Sequence, residues 1–219
     1  MLIEEVIKEK REMSRWLNLD IAKYEGAGIY NIPQLDAVEK CDALNWMGFA
    51  YCLADRKSLE KKSKTGVHFF LTDGQFERCW KDPTRYGTML SAYNCVMSPD
   101  FSLYSSFPKA MQIWNHYRKH WIARYWQDMG LTVIPTIAWS DEESFEWCFD
   151  GEPKNSIVAV SNIGCVRSLK NHEKFMRGYE EMIKRLEPTL VLCYAHKMYN
   201  YPGNIKYIHF NMDRSQEVV

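Results

Sequence analysis

Apolar, β-prone runs that end in polar residues recur along this chain, and this pattern restricts its fold more than any other feature. The runs are Val67–Asp73, Tyr93–Asp100, Leu131–Asp141 and Ser156–Asn162. Each is followed by a turn or by the start of a helix. Strands that alternate with helices through short connections are typical of parallel α/β folds. Ligands in such folds bind at the carboxyl ends of the strands, so the pattern predicts where a site lies.

The remaining elements extend this pattern to a single α/β domain over residues 1–219, mainly a parallel sheet with βα repeats. Strands are predicted at 48–54, 67–71, 93–97, 131–138, 156–160, 189–194 and 204–210. Helices are predicted at 74–81 (ended by Pro83), 108–128, 141–149 and 171–187, and the Lys-rich segment 55–66 is predicted to be an exposed loop or short helix. A closed (β/α)₈ barrel typically needs about 250 residues. We therefore expect an irregular or incomplete TIM-barrel-like fold, with an open doubly wound sheet as the alternative.

The N-terminal region, residues 1–25, is predicted to be an amphipathic helix. Its apolar residues recur at helical spacing; they are Leu2, Val6, Met13, Leu17 and Ile21. Such a helix either packs on its own domain or contacts a partner. The N-terminus has no long apolar core, so no signal peptide is expected, and no apolar run reaches the roughly 18 residues of a membrane span. A cytoplasmic protein without a membrane partner is expected.

Charge and cysteine content restrict the classes of partner and compartment. Lys plus Arg and Asp plus Glu number 28 each, which gives a formal net charge of zero. This balance disfavours a non-specific nucleic-acid binder, while a local basic patch leaves nucleic acid open as a partner. The seven cysteines are an odd number, widely spaced and without a C-x-x-C pair. We expect free thiols that serve as small core residues in a reducing compartment.

Three carboxylates that follow strands, Asp73, Asp100 and Asp141, are the catalytic candidates. Because the carboxyl ends of parallel strands share one edge of a sheet, these acids could converge to bind Mg²⁺ or to exchange protons. Asp73 and Asp141 have a structural alternative, since Thr72–Gln75 and Ser140–Glu143 resemble capping boxes. Asp100 lies in a Ser-Pro-Asp-Phe-Ser loop with no immediate helix start. It is the leading candidate, with an Asx-turn as the alternative.

The loop 161–168 is the candidate anion site. Its small polar residues and its one Arg follow a strand and precede a helix, which can present amides and a guanidinium to a phosphate or carboxylate. Ser161, Asn162 and Arg167 are the ligand-binding candidates there. The loop lacks the second Gly and the Lys of a Walker loop. In the alternative interpretation, Gly164 serves only a backbone turn with positive φ.

Further candidates lie at other strand ends. His196 follows the strand at 189–194 and is a candidate acid or base on the same edge as Asp100. Trp139 ends the strand at 131–138 and is predicted to form the wall of a pocket and to stack on a ligand ring. Tyr104, at the end of the Asp100 loop, is a further ligand-binding candidate. Cys165 would be a nucleophile only if a neighbour stabilised its thiolate.

The long helix at 108–128 carries two patterns that have structural explanations. His116 and His120 share a face, but a zinc site needs a third ligand that the local sequence does not supply. A solvated face is therefore expected, and no metal site is predicted. An aromatic stripe on the same helix could stack on bases, although core packing or a protein interface is the usual cause. It consists of Trp114, Tyr117, Trp121 and Tyr125, with Trp126 beside it.

Several motifs resemble an uncharacterised family, a domain of unknown function found in bacterial, phage, prophage and other mobile-element proteins. The matching motifs are Val67–Phe70, Phe76–Arg78, Ser98–Tyr104, Gln112–Asn115, Val133–Thr136, Trp139–Asp141, Ser144–Glu146, Cys148–Gly151, Pro153–Ser156 and Gly164–Cys165. The resemblance covers roughly residues 60–195. The chain has Tyr194-Ala195-His196 where the family has a Tyr-Gly pair. The resemblance implies an α/β fold and a mobile-element origin, and it implies no established activity or cofactor.

Two functions remain open at this point. In the first, a small polar ligand such as a nucleotide or a phosphorylated metabolite binds at the strand ends, and hydrolysis or phosphodiester chemistry is the reaction if the protein is an enzyme. In the second, the protein is a non-catalytic interaction module. Its N-terminal helix or the helix 108–128 would then contact a host or replication protein.

Overall fold

A computed structural model of the chain describes residues 15–165, 168–195, 199–209 and 216–217. The strands are β1 (Gly26–Ala27), β2 (Ile32–Pro33), β3 (Asn45–Gly48), β4 (Thr65–His68), β5 (Cys95–Met97), β6 (Val133–Ile134), β7 (Ile157–Ser161), β8 (Leu190–Ala195), β9 (Ile205–His209) and β10 (Gln216–Glu217). The α-helices are α1 (Phe49–Cys52), α2 (Leu59–Lys62), α3 (Arg78–Lys81), α4 (Pro83–Leu90), α5 (Lys109–Asp128) and α6 (Leu169–Leu186). Short 3₁₀ helices cover Asp73–Gln75 and Glu142–Glu146.

Parallel pairing dominates the sheets, as the sequence predicts. β3, β4, β5 and β6 form one parallel series, with β10 antiparallel to β3 at its edge. β7, β8 and β9 form a second parallel series. A parallel bridge between Thr136 and Ala159 joins the two series, and Ile137 N donates to Ala159 O at 2.8 Å. The predicted α/β class with a mainly parallel sheet is therefore confirmed.

The strands do not close into a barrel within the part of the chain that the structure describes. β10 approaches both β3 and β9, but a hydrogen-bonded ladder joins it only to β3. This arrangement is compatible with the expected incomplete barrel. The TIM-barrel-like organisation and the single domain over the whole chain stay predictions.

The buried residues form two clusters, and β7 contributes to both. Ile157 and Ala159 belong to the first core, which also contains Trp121 and Trp126. Val158 and Val160 belong to the second core, which packs against α6. Because alternate residues of a strand point to opposite faces, one β-strand separates and supports two apolar interiors.

The predicted strand at 48–54 is wrong, because the strand comes earlier and a helix follows it. β3 ends at Gly48, which also precedes the first turn of α1. Phe49 and Cys52 are the buried residues of α1. Their spacing of three is helical, and a short apolar run cannot by itself distinguish this spacing from a strand.

The prediction that Pro83 ends a helix over 74–81 is wrong, because Pro83 is the first residue of a new helix. The region contains the 3₁₀ turn Asp73–Gln75, α3 and then α4, whose first residue is Pro83. The Asp82 carboxylate accepts a hydrogen bond from Arg85 N at 3.2 Å and caps α4. Proline suits this first position because the amide that it lacks would have no helical partner there.

Two other helix predictions also differ from the structure. The predicted helix over 1–25 lies partly outside the described residues, and within them only residues 15–16 are helical before β1. The predicted helix 141–149 is a 3₁₀ helix over Glu142–Glu146. By contrast, the predicted helices at 108–128 and 171–187 are confirmed as α5 and α6.

All seven cysteines are free, and five of them are buried, which confirms the prediction of unpaired core thiols. Among the described residues, no helix combines the length and the apolar composition that crossing a bilayer requires.

Candidate functional site

The carboxyl ends of β4, β5 and β6 lie side by side and form the rim of the candidate site. Two buried hydroxyl groups join the ends of β5 and β6, since Ser98 Oγ lies 2.7 Å from Thr136 Oγ1. Thr136 N also donates to Ser98 Oγ at 2.8 Å. The loop that carries Asp100 therefore starts from a fixed point on the rim.

Asp73 fastens this loop to the turn after β4. Ser102 N donates to Asp73 Oδ2 at 3.1 Å, and Ser102 Oγ donates to Asp73 Oδ1 at 2.8 Å. The capping box predicted at Thr72 is present, with Thr72 N donating to Gln75 Oε1 at 3.2 Å. The Asp73 carboxylate thus has a positioning role, and it also places a negative charge beside Asp100.

Helix α5 holds the other side of the Asp100 loop through Arg118 and Asn115, which were not among the predicted site residues. Arg118 Nη1 donates to both carboxylate oxygens of Glu77, at 2.9 and 2.8 Å. Its guanidinium carbon lies 3.6 Å from the centre of the Phe101 ring, a favourable cation–π contact. Asn115 Nδ2 donates to Ser102 O at 2.8 Å. The loop is therefore held from both sides.

Asp100 keeps partial solvent exposure, and its carboxyl has no hydrogen-bond partner among the described residues. Burial raises the pKa of this carboxyl to about 7, the nearby charge of Lys119 opposes the rise, and Asp73 adds to it. A carboxyl with a pKa near neutrality can accept or donate a proton under ordinary conditions. Asp73 lies near Asp100 on the rim, because it is hydrogen-bonded to Ser102, two residues further along the loop.

Cys165 lies close enough to Asp100 for their charges to interact. Burial raises the pKa of the Cys165 thiol, and the Asp100 charge raises it further. Thiolates are the reactive form of cysteine, so this environment does not activate Cys165 as a nucleophile.

The predicted anion loop is only partly described, since Arg167 lies outside the described residues. The candidate acid or base His196 also lies outside them. Ser161 Oγ donates to Tyr194 O at 3.3 Å and accepts from Ile163 N at 3.2 Å. Asn162 is fully buried, and its Nδ2 donates to Tyr201 Oη at 3.1 Å. Gly164 has φ +82, which agrees with the predicted backbone turn.

Among the described residues, no hydrogen bond, ion pair or ring contact joins Asp100 to Asp141, Trp139 or Tyr104. Asp141 is exposed and caps the following 3₁₀ helix, with Ser144 N donating to its Oδ1 at 3.2 Å.

Trp139 packs on Phe175 of α6, with ring centres 5.3 Å apart. A Cβ atom at Gly178 would overlap the Trp139 indole. Tyr104 is exposed and contacts Phe107 edge-on.

The comparison with protein families gives one decisive match. Residues 24–211 match the family described as Domain of unknown function (DUF4417). The chain belongs to this family. The match extends beyond the motifs at 60–195 that carried the resemblance, and it includes the Asp100 loop, α5 and α6.

The relatives of this DUF4417 chain include phage proteins. The Gene 1 protein of Mycobacterium phage L5 is 37% identical over 179 residues, which is 82% of this chain and 76% of the phage protein. The Gene 1 protein of Mycobacterium phage D29 is 38% identical over 133 residues, which is 61% of this chain and 49% of the phage protein. No solved structure matches the chain. The phage relationship implied by the motifs is confirmed.

A buried ionic cluster beside α5 was also missed by the sequence analysis. Lys119 Nζ donates to Glu152 Oε1 and to Thr136 O, both at 2.7 Å, and both ionic side chains are buried. His116 and His120 are buried in the same cluster, so the prediction of a solvated face is wrong. No local sequence pattern indicates this cluster, since Glu152 comes from a loop 33 residues further along the chain than Lys119.

Cys41 is expected to be the most rapidly alkylated thiol of the chain at pH 7. Its Sγ lies 3.3 Å from Cys95 Sγ, and this hydrogen bond lowers the pKa of Cys41 to about 7, while burial opposes the change. Compared with an ordinary thiol of pKa about 8.5, the thiolate fraction is about tenfold higher at pH 7. Iodoacetamide labelling followed by peptide mass spectrometry measures the rate at each cysteine.

The Cys95→Ala variant is the control for this prediction, because it removes the thiol that lowers the pKa of Cys41. Labelling of Cys41 should then slow at pH 7 and recover at higher pH. Faster labelling of Cys165 than of Cys41 in the wild type would contradict the assignment.

Proposed function

We propose that this protein binds a small polar ligand, in the class of nucleotides or phosphorylated metabolites, at the carboxyl ends of its parallel strands. Asp100 would exchange a proton with that ligand. The observation that supports the proposal most is the state of the Asp100 carboxyl, which is largely enclosed, without a hydrogen-bond partner among the described residues and with its pKa raised to about 7. Such groups are concentrated at functional sites.

The reaction class that fits this group is hydrolysis or phosphodiester cleavage. At neutral pH, an ionised Asp100 would take a proton from water or from a hydroxyl group, and a protonated Asp100 would donate one to a leaving oxygen. Ser161, Asn162 and Arg167 remain the proposed anion-binding residues, and His196 remains a proposed second acid or base. Asp73 positions the loop through Ser102.

The direct test is a thermal-shift panel of nucleoside mono-, di- and triphosphates and inorganic phosphate, with and without Mg²⁺. A ligand that binds the folded state should raise the Tm in a concentration-dependent way. The shift should be lost in Asp100→Ala and kept in Asp20→Ala, which removes an exposed carboxyl. No shift for any ligand with wild-type protein would overturn the proposal.

The ionised carboxylate of Asp100 is expected to lower the free energy of unfolding at neutral pH. Such a cost is typical of a residue that is retained for function. Its folded-state pKa of about 7 lies above the usual value of 3.8, so the penalty grows as pH rises from about 4 to 7. Asp100→Asn should therefore raise the free energy of unfolding by about 1–3 kcal/mol at pH 8, allowing for partial exposure. It should change little at pH 4, where the carboxyl is protonated.

Urea unfolding at the two pH values measures this difference, and Asp20→Asn is the matched control. Equal destabilisation of Asp100→Asn at both pH values would show that the carboxyl makes a structural hydrogen bond, which contradicts the proposed role.

A second candidate function is protein interaction, which an apolar cleft beside α5 supports. Leu17, Leu19 and Tyr30 from the N-terminal segment and Ile113, Trp114 and Tyr117 from α5 line a cleft of about 400 Å³. Trp114 and the nearby Met111 are 38% and 50% exposed. Apolar surface of this kind is typical of interfaces.

A photo-crosslinking amino acid at Met111 should capture a defined partner from host extract, whereas the same group at Lys184 should not.

A further inference from the structure

Three potential metal ligands converge in the buried cluster between α5 and the segment after the 3₁₀ helix Glu142–Glu146. His116, His120 and Glu152 are all buried, and their ligand atoms lie within 4.8 Å of one another. The two histidines are one helical turn apart on α5, so they share a face. Gly151, with φ +77, allows the chain to pass close to His120, where a Cβ atom would lie 2.9 Å from His120 Cδ2.

Backbone carbonyls determine which imidazole nitrogens carry hydrogen. His116 Nε2 lies 3.0 Å from Asp150 O, and His120 Nδ1 lies 2.9 Å from His116 O. A carbonyl oxygen can only accept, so each of these nitrogens must donate. In the neutral rings, His116 Nδ1 and His120 Nε2 then carry lone pairs, and neither makes a hydrogen bond to a described residue.

Glu152 supplies the negative charge next to these lone pairs. Its Oε1 lies 3.1 Å from His120 Nε2, and its Oε2 is buried without a hydrogen-bond partner among the described residues. A lone pair and a carboxylate oxygen repel each other at this distance unless a proton or a metal cation lies between them. The cluster thus has three atoms whose chemistry calls for a cation.

We propose that His116 Nδ1, His120 Nε2 and the Glu152 carboxylate bind one divalent transition-metal ion, of which Zn²⁺ is the best match. Imidazole nitrogen and carboxylate oxygen are established zinc ligands. The outer contacts of the histidines fit as well, because metal-binding histidines donate their other N–H group to a carbonyl. Here Asp150 O accepts from His116, and His116 O accepts from His120. The ion would connect α5 to the segment at 150–152.

The Lys119 charge sets a limit on affinity and provides a specific test. Its ammonium lies 2.7 Å from Glu152 Oε1 and would repel a divalent cation. Lys119→Met removes this repulsion and frees the carboxylate, so it should tighten Zn²⁺ binding relative to wild type. A cluster that is only a structural ion pair would show no gain in metal binding in this variant, and that result would overturn the proposal.

The experiment uses the full chain, stripped with a chelator and then titrated with Zn²⁺ and Co²⁺. Wild-type protein should retain about one ion per chain after dialysis, and His116→Gln and Glu152→Gln should weaken binding at least about 100-fold. His172→Gln, which changes a histidine outside the cluster, should bind as wild type does. Equal binding in His116→Gln and wild type, or no retained metal in wild type, would overturn the proposal.

The Co²⁺ spectrum of wild-type protein tests the ligands even if a variant fails to fold. Nitrogen and oxygen ligands should give visible ligand-field bands without the near-ultraviolet charge-transfer band of cobalt thiolate. A strong thiolate band would assign the metal to cysteines such as Cys41 and Cys95, and would overturn the proposed site. The outcome is independent of the rim, because Asp100→Ala should leave the cobalt spectrum unchanged.

Discussion

Replacing Lys119 by Met is expected to lower the free energy of unfolding of chelator-treated protein by about 3–5 kcal/mol, because it leaves a buried carboxylate without its counter-charge. Lys119 and Glu152 are almost completely buried, and the ammonium also donates to Thr136 O at the end of β6. The variant therefore removes one link between α5 and the rim and one link between α5 and the 150–152 segment. Urea unfolding at pH 7, followed by circular dichroism, measures the loss.

The double variant Lys119→Met with Glu152→Gln is the control, because it removes both charges. It should recover part of the loss, so that the two changes are not additive. Burial would raise the pKa of Glu152, but the Lys119 ammonium outweighs this effect and lowers it. The stability contributed by Glu152 is therefore present above the pKa of an unfolded Glu and is lost as pH falls through the lower pKa of the folded state. Full additivity at pH 7 would contradict a direct ion pair.

Replacing Trp126 by Ala is expected to cost a similar amount, about 3–5 kcal/mol, because it empties a large volume in the first core. Trp126 is fully buried, and its ring centre lies 5.8 Å from that of Phe69. Its Nε1 donates to Pro83 O at 2.9 Å, which links α5 to the start of α4. A Cβ atom at Gly87 would lie 2.8 Å from Trp126 Cδ1, so α4 packs closely on this ring. Thermal and urea unfolding measure the loss.

Two controls separate packing from general effects of losing a tryptophan. Trp126→Phe keeps most of the buried ring and loses the hydrogen bond, so it should cost less than Trp126→Ala. Trp16→Ala removes a side chain that is 70% exposed, and it should change stability by less than about 0.5 kcal/mol. A Trp126→Ala variant as stable as Trp16→Ala would mean that the first core is not packed as described.

The sequence predicted the parallel sheet because each strand run ends in polar residues, and this is a local pattern. It also predicted α5 closely, since the long segment between Pro108 and Gly130 has clear end signals. It failed at 48–54 and at Pro83, where short segments allow both a strand and a helix, or both the end and the start of a helix. In such segments, the packing of neighbouring elements decides the outcome, and no local pattern records it.

The candidate site was predicted in part, for the same reason. The shared edge of parallel strands predicts that Asp73 and Asp100 lie on one rim, and in the structure Asp73 binds Ser102 of the loop that carries Asp100. The ion pair of Arg118 with Glu77 and the ion pair of Lys119 with Glu152 could not be predicted, because each joins residues more than 30 positions apart. The interior position of His116 and His120 was missed because the local sequence contains no third partner for them.

Strand β7 has a consequence for how this sequence can vary. Its four residues from Ile157 to Val160 are all enclosed, and alternate ones belong to different interiors. A change of volume at Ala159 must be accommodated by the first core, and one at Val160 by the second. Substitutions that change side-chain volume along this strand therefore need complementary changes on the matching side, so the variation of this strand is tied to two separate sets of neighbours.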